Sequence, residues 1–118
     1  MAEMAAILVE IAAERREARE AKEREAELNL IKDAASRVTT CDGSTMMETR
    51  KWVLHMELVS NKVPAASFVR ICHRTVTGGL MFDLERYLEE IATANYGGNQ
   101  DQVTWVEIRG HVRATFLT

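Results

Sequence analysis

The stretch from Glu14 to Glu27 reads ERREAREAKEREAE, with six Glu, five basic residues and three Ala. These are strong helix formers, because straight-chain side chains and Ala lose little freedom on a helix. No Gly or Pro occurs between residues 3 and 37, so the composition predicts one long helix over that span. Arg16/Glu20, Arg19/Glu23 and Glu20/Arg24 stand four apart and face each other on a helix surface, each pair worth only ~0.2–0.5 kcal/mol. A heptad frame puts Ile7, Glu14, Ala21, Leu28 and Ala35 at one seam position and Ile11, Ala18, Glu25 and Lys32 at the other. Its ends are apolar and its middle is Ala and charge, whereas strong coiled coils sustain large apolar residues throughout. Two readings therefore stand side by side: a solvated helix braced by charge pairs, and an Ala-lined helix that self-associates.

Downstream the pattern changes. Val38-Thr39-Thr40-Cys41-Asp42-Gly43-Ser44 joins β-branched residues to an Asp-Gly turn signal and predicts an extended linker ending in a turn. Thr45 followed by Glu48 has capping-box spacing and opens a second helix that runs to Asn61. Trp52, Met56 and Val59 recur along it with Leu54 and Leu58 beside them, a wide stripe that predicts contact on more than one side. Pro64 suits the first position of a third helix, with Phe68, Ile71, Cys72 and Thr75 inward. Thr77-Gly78-Gly79 interrupts or kinks it, and Leu80, Leu84, Tyr87, Leu88 and Ile91 resume the helical spacing. Residues 95–100 read as a loop. Thr104 and Glu107 then form a second capping-box pair before Trp105, Ile108, Val112 and Phe116. The expected fold is all-α: a charged helical arm (1–37), a linker (38–44) and a bundle of about four short helices (45–118).

The chain has 118 residues, 47% hydrophobic and 28% charged, enough for one small domain plus an arm. Aromatics are 6%, so the core must rest on aliphatic side chains, and a bundle this small gains from association. The net charge of −3 falls entirely within residues 1–43, which argues against nucleic acid or an anionic membrane as partner. Two cysteines, Cys41 and Cys72, are too few for a secreted disulfide scaffold; a reducing, cytoplasmic setting is expected, and a Cys41–Cys72 bridge stays open. The apolar run at residues 4–9 is too short for a membrane span and lacks a basic flank.

No catalytic constellation stands in the sequence. Cys72-His73 are adjacent, and neighbouring helix positions point about 100° apart, a poor start for a shared metal. Cys72 reads as core, His73 and His111 as solvent-facing, and His55 as a packed or rim residue. No nucleophile elbow, P-loop, dinucleotide fingerprint or metalloprotease helix occurs, so neither an enzyme nor a cofactor is expected. Arg109, His111 and Arg113 form a short basic strip without aromatic interleaving, a weak nucleic-acid signal.

The order of residues 42–117 nevertheless has a likeness. Cys41-Asp42-Gly43, the Trp52-Val53-Leu54 helix, Phe68, the Thr77-Gly78-Gly79 corner, Tyr87-Leu88 and a closing Trp105-x-x-Ile108 to Phe116-Leu117 follow one another. That succession resembles the N-terminal capsid domain of Gag proteins from gypsy-type LTR retrotransposons and their domesticated relatives. The likeness covers about two-thirds of the chain; the Cys/His zinc knuckle of such proteins is absent from this sequence. The resemblance implies a structural role, copies packing side by side into oligomers or shells. Candidate contact residues are Ile7, Leu8 and Ile11 on the arm and Trp52, Met56 and Val59 on the second helix, with a core role preferred for Trp52. The partner is then another copy of the chain. The alternative is an adaptor whose arm binds a helix of another protein.

Overall fold

In the computed structural model, which describes residues 2–118, α1 runs unbroken from Ala2 to Ser36. Four further α-helices follow among the described residues: α2 (Met46–Ser60), α3 (Ala65–Thr75), α4 (Gly78–Asn95) and α5 (Trp105–Phe116). A 3₁₀ turn, Gln100–Gln102, precedes α5, and among the described residues no strand forms beyond one isolated bridge. The all-α expectation holds.

Two compact units divide the chain, one ending at Leu30 and the other spanning Ile31–Thr118. The first is helix alone. From Glu3 to Leu30 its side chains are exposed apart from a half-buried Glu27. The second unit begins inside α1, not at residue 45 as the sequence suggested. Ile31 is fully buried there, and Ala34 and Ala35 pack against the same core.

Residues 38–44 also differ from expectation. They are extended and end in a turn, but they are part of the bundle. Val38 and Cys41 are buried, and Cys41 pairs in parallel with Val76. The Cys41 N–H donates to the Thr75 carbonyl at 2.9 Å, the Thr77 N–H to the Cys41 carbonyl at 2.9 Å, and the Leu80 N–H to the Asp42 carbonyl at 3.0 Å. These bonds satisfy backbone groups that a buried loop would otherwise leave orphaned. The Asp42 carboxylate accepts the Ser44 N–H at 2.9 Å, closing the turn. Gly43 sits at φ +79°, and a Cβ there would stand 2.9 Å from Phe116 Cε1 and 3.0 Å from Leu80 Cβ. Both the backbone angle and the close approach demand glycine.

Helix ends follow the sequence closely. The Thr45 hydroxyl accepts the Glu48 N–H, and Thr104 with Glu107 forms a complete reciprocal box. Pro64 is the residue before α3, one position earlier than expected. The glycine pair ends one helix and starts another: Val76 and Thr77 are extended, and Gly78 at φ +55° opens α4.

One core cluster holds the bundle together. Trp52 and Met56 from α2, Ile71 and Cys72 from α3, Leu80, Leu84 and Leu88 from α4, and Ile108 and Val112 from α5 are all within it. Trp105 meets Trp52 edge-on at 6.1 Å and Phe68 at 5.4 Å, the arrangement favoured by aromatic quadrupoles. The polar atoms inside are paired. The Trp52 indole N–H donates to the Thr75 hydroxyl at 2.9 Å, and that hydroxyl donates to the Cys72 carbonyl at 3.1 Å. Among the described residues no buried side-chain nitrogen or oxygen lacks a partner.

Candidate interaction surface

The arm candidates are all exposed. Met4, Ile7, Leu8 and Ile11 lie on α1 and are 40–71% exposed. Their spacing of three, one and three residues puts all four on one helix face. Glu3, Glu10 and Glu14 line one edge of that face, since seven and four residues separate them. No Lys or Arg occurs among residues 1–14.

The α2 candidates need correction. Trp52 is 1% exposed and Met56 0%, so neither is available to a partner in this fold. Val59 is half-buried against the same core. The core role preferred for Trp52 is the observed one. The apolar face that α2 shows to solvent is instead Met47, Leu54 and Leu58, each at least 59% exposed. Their spacing of seven and four residues marks a single stripe, and the breadth of apolar positions on this helix was the available signal.

Beside that stripe, Arg50, Val53 and Leu54 of α2 and Arg113 and Leu117 at the end of α5 enclose a groove of about 380 Å³. Both ionisable residues lining it are arginines. A second depression of about 560 Å³, floored by Phe68 and Trp105, opens between the start of α3 and the 3₁₀ turn. Its polar rim includes Ser60, Asp101, Gln102 and Thr104 and brings no acid–base pair together.

Several ionisable groups of the bundle are engaged in contacts within the fold. The Glu57 carboxylate accepts the Trp105 indole N–H and pairs with Arg109 at 3.0 Å. The Trp105 bond first, and Arg109 next among the favourable contacts, hold Glu57 below its ordinary value against some desolvation. Glu107 is held low chiefly by the Tyr96 hydroxyl at 2.6 Å, and Asp42 by its bonds to Ser44. Burial, with Glu107 nearby, raises the Tyr87 phenol. His111 is not solvent-facing. Its ring stacks on Tyr87 at 4.0 Å, and Nε2 lies 2.5 Å from Asp83. His73 is likewise half-buried, while His55 is exposed.

Cys41 and Cys72 are both buried free thiols, and burial pushes the Cys72 thiol far above its usual range, which disfavours its thiolate. Among the described residues no group of three or more His, Cys, Asp or Glu is placed to hold a metal ion. Nor is any helix among them long and apolar enough to cross a membrane.

The lowered carboxylates set a pH dependence. A carboxyl group with a folded-state pKa below its unfolded value stabilises the fold fully above the unfolded value, about 4. That contribution disappears as pH falls through the folded-state pKa. The urea midpoint should therefore be insensitive to Asp42, Glu57 and Glu107 between pH 7 and 5 and decline below about pH 4. Denaturation curves of Glu57→Gln/Glu107→Gln should show a shallower acid decline; an unchanged slope would refute the assignment.

No protein-family model, curated protein or solved structure matches the chain.

Proposed function

We propose that this chain is a structural, self-associating helical module of the capsid type, acting through helix–helix contacts and not through catalysis. The exposed Met4-Ile7-Leu8-Ile11 face carries the proposal. It sits on a lone helix within a unit that has no core of its own. Removing such side chains from water is worth ~1.5–3 kcal/mol each, against the entropic cost of association. Contiguous apolar faces of this kind mark interaction sites. The capsid-type assignment is supported by residue order. Gly43, Trp52, Phe68 and Trp105, which carry the resemblance, are also the residues around which the bundle packs.

Multi-angle light scattering of the full chain at 0.15 M salt tests the reading. The average mass should rise with concentration across the micromolar to millimolar range. Ile7→Asp/Ile11→Asp should remain monomeric at every concentration with its thermal midpoint unchanged, because neither residue belongs to the bundle core. A wild-type chain that stays monomeric at millimolar concentration would overturn the proposal.

A further inference from the structure

We infer that the arm of one copy docks in the α2/α5 groove of a second copy, a head-to-tail contact that rests on the self-association reading above. Met4, Ile7, Leu8 and Ile11 stand at i, i+3, i+4 and i+7, the anchor pattern with which an amphipathic helix lies in an apolar groove. Apolar side chains recur along the receiving surface. Met47, Leu54 and Leu58 form the exposed stripe of α2, and Val53, Leu54 and Leu117 line the adjoining groove.

Charge selects the occupant. The arm stripe is edged by Glu3, Glu10 and Glu14, with no base among residues 1–14. The groove is edged by Arg50 and Arg113. Lys51 lies on the next position of α2 and pairs with Glu48 at 3.6 Å. Glu57 lies close enough to feel the charge of Arg113, and its carboxylate is already engaged by Trp105 and Arg109. An acidic apolar helix thus meets a basic apolar groove, and such complementarity fixes both register and partner. Antiparallel pairing of two arms would instead set Glu3, Glu10 and Glu14 of one copy near the same residues of another.

A contact between two different surfaces is heterologous. Each copy keeps one arm and one groove unused at the ends of the assembly, so growth continues until a ring closes or a filament forms.

Two full-length variants test the inference by light scattering. One, Arg50→Glu/Arg113→Glu, disables the groove and keeps the arm. The other, Ile7→Asp/Ile11→Asp, disables the arm and keeps the groove. Alone, the groove variant should associate at least ~10-fold more weakly than wild type and the arm variant should stay monomeric, while an equimolar mixture should form a two-chain species that grows no further. Leu54→Asp, an exposed α2 substitution, serves as a second groove variant should the double arginine change perturb folding by circular dichroism. Groove variants that assemble like wild type, or a mixture that stays monomeric, would overturn the docking while leaving self-association intact. A monomeric wild type would overturn both, so the two failures are distinguishable.

Discussion

Trp52→Ala should cost ~3–5 kcal/mol of unfolding free energy, the range for removing a large aromatic from a packed core. The residue is 1% exposed, meets Trp105 edge-on, and gives its indole N–H to Thr75. Truncation therefore opens a cavity, removes the edge contact and strips the donor from a buried hydroxyl. Small domains hold only ~5–15 kcal/mol in total, so this one change should remove roughly a fifth of the stability at the least. Trp52→Phe separates the terms. It restores much of the volume but leaves Thr75 without its donor, an expected loss of ~1–3 kcal/mol. Chemical denaturation read by circular dichroism gives both values. A Trp52→Ala variant within 1 kcal/mol of wild type, a limit well below that range, would contradict the packing described here.

Gly43→Ala should be nearly as damaging for a different reason. At φ +79° an L-residue pays ~1–2 kcal/mol in backbone strain. Its Cβ would also stand 3.0 Å from Leu80 Cβ, which has no freedom to swing away, and 2.9 Å from Phe116 Cε1, which has some. Overpacking of that kind costs ~1–3 kcal/mol. Gly110→Ala supplies the opposite sign: it lies within α5 with open space around the new methyl, so it should stabilise by ~0.5–1 kcal/mol. Equal effects at the two glycines, measured as shifts in denaturation midpoint, would show that the Gly43 turn does not constrain the fold.

What sequence alone could reveal followed from how local each signal is. The α1 helix and the Thr104–Glu107 box depend on residues within a few positions of one another, and both appear as expected. The pairing of Cys41 depends on Thr75, Val76 and Thr77, more than thirty residues away, so the local β-branched run announced only extended backbone. On α2, periodicity failed to choose a face because large apolar residues occur on both sides. Trp52 and Met56 went inward, while Met47, Leu54 and Leu58 stayed outside. His111 was misplaced because its shelter comes from Tyr87 and Asp83 on another helix. The arm stripe was legible as apolar positions; its basic counterpart needed the end of α5 brought beside α2.

The two buried thiols give the bundle a pair of internal clocks. Cys72 is at the centre of the core, so a thiol reagent reaches it only as fast as the whole unit opens. Cys41 belongs to the short segment held against residues 75–80, and it becomes reactive whenever that segment alone peels away. The difference between the two labelling rates is thus a direct reading of how firmly the segment after α1 is fastened. No added probe is needed to take it.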